Sequence, residues 1–170
     1  VSSTALSLEV QLTFDTDRNH SLDNNLNWSS DSRWLVYDTR AFSGGIANTL
    51  TLEKVHIKTK EIVTIYTAPN PDPTNGFGPG VAAVSYFPAD GRVLYTFDEG
   101  GNELNHVVVR ETSGETRDLT PGDELKAAFL GWSDDGEHFF LLSTERDQAN
   151  FDVYRYSASN YSRELVFEND

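Results

Sequence analysis

The chain has 170 residues, 38% hydrophobic and 12% aromatic, which is enough for one globular domain and too few for two ordinary ones. Its 27 acidic and 13 basic residues give a net charge of −14, which disfavours nucleic acid and anionic membranes as partners. The absence of cysteine excludes disulfides and a thiol nucleophile, and no apolar run approaches the roughly 20 residues of a membrane helix.

The first 14 residues divide into a polar opening and one strand-like segment. The opening VSSTALS is small and polar, like the mature side of a signal-peptide cleavage site, and it favours a periplasmic or secreted protein. The following segment LEVQLTF, Leu8 to Phe14, alternates apolar and polar residues. It predicts one leading outer strand ahead of the rest of the fold.

The segment DTDRNHSLDNN, residues 15–25, is the richest polar cluster in the chain. Asp15, Asp17, Asn19 and Asp23 fall at positions 1, 3, 5 and 9 of a calcium-loop pattern, so calcium is the one cofactor that the sequence suggests. The pattern lacks the glycine at position 6 and the glutamate at position 12. The alternative is an Asx-rich connection that needs no cofactor.

Two residues, one within this cluster and one just after it, are candidates for ligand binding. His20 precedes a predicted inner strand, where a side chain could face a central channel. Trp28 could form part of a ligand-stacking platform together with Phe87 and Trp132, which we align with it. The alternative for all three aromatic residues is burial between neighbouring sheets.

One sequence motif occurs three times: NWSSDSRWLVYDTR at 27–40, YFPADGRVLYTFDEG at 86–100 and GWSDDGEHFFLLSTER at 131–146. Each copy has an aromatic residue, a polar turn with aspartate, and an alternating strand. The turn residues Asp31, Asp90 and Asp135 lie 59 and 45 residues apart. Asp-Gly at two of these turns is a strong hairpin signal.

A second hairpin follows each copy, for example TLTLEKVHIK and EIVTIYT on either side of Thr59-Lys60. The unit is therefore four short antiparallel strands, and periods of roughly 40–50 residues with four strands are typical of propeller blades. We predict an all-β fold in one domain, residues 1–170. Its partial β-propeller has three consecutive blades, at approximately 24–67, 82–120 and 127–168, behind the leading strand 8–14.

These units resemble the TolB-like, WD-repeat-like blades of bacterial propellers, through QLTF, NWSSDSRWLVYDTR, DLTP and GWSDDGEHFF. The first half, from Gln11 to about Tyr66, looks like an uncharacterised periplasmic TolB-like family. The second half is similar to the N-terminal propeller of prolyl-oligopeptidase-type serine peptidases. The segments DEGGNE, TPGDELKAAFLGWSDDGEHFFLLSTERD and FDVYRYSASNYSRELVFEND carry that similarity.

In the peptidase family the propeller precedes an α/β-hydrolase domain and restricts which peptides reach it. This sequence has no G-x-S-x-G nucleophile elbow, so we expect no enzyme activity from it. The resemblance implies a non-catalytic scaffold or interaction module that screens peptide access. The alternative is a metal-dependent site or enzyme in the propeller channel, drawn from Asp15, Asp17, Asn19, His20 and Asp23.

Propellers close at about 4–8 blades, and three blades leave two apolar sheet faces without a neighbour. We therefore expect a protein or peptide partner, with self-association to complete a propeller as the favoured form.

Overall fold

The computed structural model describes residues 9–22, 26–41, 49–68, 81–99 and 101–170. These residues form twelve β-strands and no α-helix, and thus no helix that could cross a membrane. The strands are β1 (Arg18–Ser21), β2 (Trp34–Ala41), β3 (Thr49–His56), β4 (Ile62–Thr67), β5 (Val81–Tyr86), β6 (Val93–Phe97), β7 (His106–Arg110), β8 (Thr116–Asp118), β9 (Ala127–Trp132), β10 (His138–Ser143), β11 (Asp152–Ser157) and β12 (Arg163–Phe167).

The strands form three four-stranded antiparallel sheets, each built from four consecutive strands: β1 to β4, β5 to β8, and β9 to β12. Short hairpins join the strands within each sheet, because alternating strands separated by tight turns pair with their sequence neighbours. This arrangement confirms the predicted all-β fold with three consecutive propeller-type blades. The sheets span residues 18–67, 81–118 and 127–167.

The start of the chain differs from the prediction in two ways. The described part of the expected leading strand, residues 9–14, is not a strand. The first sheet begins at Arg18, ahead of residue 24, because β1 pairs with the far end of β2, with Arg18 opposite Ala41 and Ser21 opposite Asp38. A strand needs a partner for its backbone hydrogen bonds, and the described sheets offer residues 9–14 none.

The three sheets stack face to face through two apolar cores. We call the side of a sheet toward the preceding sheet its leading face, and the side toward the following sheet its trailing face. The core between the first and second sheets contains Val36, Leu52, Ile65, Ala68, Val81, Ala83, Tyr86, Val93, Tyr95 and Val108. The core between the second and third sheets contains Phe87, Leu94, Val107, Val109, Leu119, Leu125, Ala127, Phe139, Leu141, Tyr154, Tyr156 and Ala158.

The aromatic residues of the repeat align differently in the structure than in the sequence. One cross-strand position recurs in the three sheets: Trp28 opposite Leu35, Tyr86 opposite Val93, and Trp132 opposite Phe139. Tyr86, not Phe87, is therefore the structural equivalent of the two tryptophans. Phe87 lies one residue further on and is 1% exposed in the next core.

This shift in alignment arises from the turn of the second sheet. Its aspartate lies one residue further from the cross-strand aromatic residue than the aspartates of the other two turns do. In the third sheet, Gly136 has φ +70, and Ser32 has φ 57 at the same place in the first sheet. Gly91 does not have positive φ. The glycine of Asp135-Gly136 is thus left-handed, and that of Asp90-Gly91 is not.

Gly136 also lies close to the second sheet, since a Cβ there would lie 3.2 Å from Pro88 Cβ. We expect Gly136→Ala to lower the free energy of unfolding by about 1–2 kcal/mol, through the positive φ and this contact. Gly91→Ala is the matched control, because its added Cβ would meet Thr112 Cγ2 at an ordinary 3.7 Å. Urea unfolding of both variants checks this, and equal losses would contradict the stacking of the two turns.

Candidate interaction surface

Part of the leading face of the first sheet is covered by the N-terminal residues 9–17, which we call the strap. Leu12 of the strap packs against a cluster of Leu35, Tyr37 and Val55. Tyr37 and Val55 are only 2% and 1% exposed. The strap therefore lies over the surface on which a preceding blade would stack.

A buried carboxylate lies on this face. Glu53 is 2% exposed, and its Oε1 accepts hydrogen bonds from Arg18 Nη1 at 2.9 Å and from Thr51 Oγ1 at 2.8 Å. Its Oε2 accepts a bond from the Tyr37 hydroxyl at 2.8 Å. Burial, and secondly the bond to Glu53, raises the pKa of Tyr37 above its usual 10.0, so this hydroxyl remains a donor. The charge of Glu53 is thus paired and its oxygens are satisfied.

His20 joins the same face through its ring. The ring lies edge-on to Tyr37, with 5.3 Å between centroids, and Nδ1 is 3.4 Å from Thr13 Oγ1 of the strap. Nε2 is buried and has no hydrogen-bond partner among the described residues. His20 therefore packs between strap and sheet.

Three of the four residues of the predicted calcium site are described, and they lie partly in the strap and partly in β1. Asp15 forms an ion pair with Arg18, and Asp17 is exposed. Asn19 lies within β1, opposite Arg40, and Asp23 is outside the described residues. The calcium site stays a prediction, which a calcium titration followed by melting temperature would test.

Trp28 is 47% exposed at the edge of the same face. Its structural equivalent Trp132 packs against Phe87 with 4.9 Å between ring centroids, and its Nε1 donates to Ser85 Oγ at 2.8 Å. Both of those partners belong to the preceding sheet. Trp28 is exposed because no described sheet packs on the leading face of the first sheet.

Two features of the structure were not anticipated from the sequence. Glu53 could have been found, because in TLTLEKVH it alternates in phase with Thr51 and Val55 on one side of β3.

The other feature is a group of Asp135, Glu137 and His138, whose ligand-type atoms lie within 4.8 Å of one another. The hydrogen bond from Ser133 holds the pKa of Asp135 below its usual 3.8. Both carboxylates are exposed at a hairpin turn, and such groups are common without a metal.

The trailing face of the third sheet has no sheet packed on it among the described residues. Phe139 and Leu141 point into the core, so the alternating residues Phe140 and Leu142 point the other way, and both are half-buried. Val153, opposite Leu142, lies on the same face. This is an open apolar strip on the sheet.

An ion pair lies beside this apolar strip. Arg155 is opposite Phe140 on one side and Glu164 on the other, so the three side chains share the trailing face. Arg155 and Glu164 pair with each other, and their side chains are 44% and 55% exposed. The face thus carries one charge of each sign next to apolar residues.

Comparison of the sequence with known proteins gives one limited match. No protein-family model matches the chain. A stretch of 58 residues is 47% identical to the uncharacterized protein YidR of Escherichia coli (strain K12). It covers 34% of this chain and 14% of YidR.

Several solved structures have the same fold. An oligogalacturonate lyase from Vibrio parahaemolyticus matches 91% of the chain with a TM-score of 0.64 and 19% identity. A prolyl endopeptidase matches 84% with a TM-score of 0.60 and 15% identity. TolB from Acinetobacter baumannii matches 82% with a TM-score of 0.50 and 18% identity.

The chain spans 43%, 21% and 30% of the length of those three structures, respectively. All three are β-propeller proteins, so the likeness confirms the predicted resemblance to TolB-like and prolyl-oligopeptidase-type propellers at the level of fold. The chain has the fold of part of a propeller.

Proposed function

We propose that this chain is a non-catalytic propeller module, found in the periplasm or secreted, that binds protein through the trailing face of its third sheet. The observation that carries the proposal is the apolar strip of Phe140, Leu142 and Val153. The corresponding faces of the first and second sheets are each covered by a following sheet. An apolar sheet face of this kind is typical of an interaction site.

The partner that fits this face best is a second copy of the chain. In a two-fold contact the same patch is used twice, so residue i of one copy meets residue j of the other, and the reverse. Arg155 and Glu164 supply both charges that such a contact needs. The strap favours this arrangement over a ring of two copies, because a ring requires the leading face of the first sheet.

Light scattering at increasing concentration tests the association. We expect the native chain to form a dimer, and Leu142→Glu to be monomeric because it places a charge in the apolar contact.

Arg155→Glu should also weaken the dimer, and the exchanged pair Arg155→Glu/Glu164→Arg should restore it. Lys58→Glu, an exposed change on the first sheet, is the control. Trp28→Glu separates the arrangements, because only a head-to-tail ring depends on it. A native chain that stays monomeric would contradict self-association.

The finer role that we propose is that of a propeller that screens peptide access to a peptidase. The fold likeness to a prolyl endopeptidase supports it. Incubation with a fluorophosphonate probe tests the non-catalytic part, since such probes label activated serines. We expect no labelling, and labelling that denaturation abolishes would contradict the proposal.

A further inference from the structure

The interface between the second and third sheets is closed by a tyrosine from the turn between β11 and β12. The Tyr161 ring centroid lies 6.2 Å from that of Phe87 and 5.5 Å from the Arg92 guanidinium. Its hydroxyl accepts a bond from Arg92 Nη1 at 2.6 Å and donates one to Glu111 Oε1 at 2.5 Å. The side chain thus fills the space between the two sheets at this level.

The corresponding turn of the second sheet has a glycine at the same place. Glu111 N donates to Glu115 O, as Ser157 N donates to Ser162 O, so these pairs close equivalent turns. The turn of the second sheet has three residues where that of the third has four. Its last residue, Gly114, has φ +94, and the last residue of the longer turn, Tyr161, has φ 61.

A cleft of about 260 Å³ lies between the first and second sheets at this level. Gly114 borders it, and a Cβ on Gly114 would point toward Arg110 Nη2, 3.5 Å away. The lining combines an apolar wall, two cations and hydroxyl donors: Val63, Ile65 and Val93; Lys54 and Arg110; Thr64, Thr112 and Ser113. Because the shorter turn ends in glycine, the space that a tyrosine ring fills in the next interface is left open.

The charge of this cleft is opposite to that of the protein as a whole. The chain has 27 acidic residues and 13 basic ones, and most arginines form ion pairs. Neither Lys54 nor Arg110 forms an ion pair with a described carboxylate, and Lys54 lies over the Trp34 ring at 4.7 Å. Glu111 also borders the cleft, but it accepts the bond from Tyr161 at the other interface. With Glu111 counted, the two cations still leave the lining with a net positive charge, which attracts an anion.

We propose that the cleft bordered by Lys54, Arg110 and Gly114 binds a carboxylate carried on a small planar apolar body. The carboxylate would accept hydrogen bonds from the two cations, which are stronger than bonds between neutral groups. The apolar body would pack on Val63 and Val93, in the space left by the missing ring. This site is separate from the third sheet's trailing face.

Titration with benzoate, followed by the backbone NMR signals of Thr112 and Gly114, tests the site. We expect saturable shifts with benzoate and none with benzamide, which has the same ring without the charge. Lys54→Gln and Arg110→Gln should each weaken binding roughly tenfold, as expected when one hydrogen bond to a charged group is lost. Lys58→Gln, on the exposed turn outside the cleft, is the matched control and should bind as the native chain does.

Two peptides test whether the bound carboxylate is a peptide C-terminus or belongs to a free carboxylate. Ala-Ala-Phe with a free C-terminus should compete with benzoate if the site accepts peptide ends, and its amide should not. Competition by neither peptide assigns the cleft to free carboxylates. Near-UV circular dichroism confirms that the variants are folded. Absence of saturable benzoate binding to the native chain, or equal binding by all variants, would overturn the proposal, whatever the oligomeric state.

Discussion

Phe139→Ala should lower the free energy of unfolding by about 3–5 kcal/mol, the usual cost of deleting a buried phenylalanine ring. Phe139 is 0% exposed between the second and third sheets. Its ring centroid lies 5.2 Å from that of Trp132, 5.2 Å from that of Tyr156 and 5.8 Å from that of Phe87. A loss of this size is a large part of the 5–15 kcal/mol that stabilises most domains.

Phe140→Ala is the matched control for that change. The two residues are adjacent in β10 and differ only in the face that they occupy. Because Phe140 is half-buried on the open trailing face, we expect a loss of about 1 kcal/mol or less in protein dilute enough to be monomeric. Guanidinium unfolding of both variants measures the difference. Similar losses would show that the two faces of the third sheet are equally packed, against the stacking order described above.

The second large effect is expected from Arg18→Ala, which removes the cation paired with buried Glu53. The Glu53 side chain is 3% exposed and that of Arg18 is 23% exposed. Leaving a buried carboxylate without its cation is strongly destabilising, and the remaining bonds from Tyr37 and Thr51 reduce that cost. We expect a loss of about 2–4 kcal/mol in the free energy of unfolding.

Two controls distinguish this effect from a general loss of packing. Arg33→Ala breaks a contact of 3.8 Å between side chains that are 70% and 51% exposed, and should change stability by less than about 0.5 kcal/mol. The double variant Arg18→Ala/Glu53→Gln should recover part of the loss, because the stranded charge is gone. Equal stability of the single and double variants would contradict a buried, paired Glu53.

The repeat was readable from the sequence because each blade contains its own local signals. Alternating strands and polar turns at 59-residue and 45-residue intervals are enough to predict three four-stranded sheets. Local sequence signals do not determine which element lies next to each sheet. Residues 9–14 have the alternation of a strand, but a strand forms only where another strand edge is available.

The interaction surface is harder to predict from the sequence, because it depends on which face of its strand each residue occupies. The sequence repeat pairs Phe87 with the two tryptophans by residue type, whereas the hairpin register places Tyr86 at that position. A shift of one residue reverses every side chain in a strand. The calcium pattern also depends on local geometry that its letters do not show, since Asn19 lies within β1, and the calcium site stays a prediction.

The most direct test of the stacked, open-ended arrangement uses the absence of cysteine from the chain. Leu141→Cys and Leu142→Cys place a single thiol on opposite faces of β10, the first buried at 0% exposure and the second half-buried on the open face. We expect maleimide to label Leu142→Cys quickly in dilute solution. Leu141→Cys should react roughly a hundredfold more slowly, since opening the core by about 3 kcal/mol gives that factor. Equal labelling rates at the two positions would contradict the account.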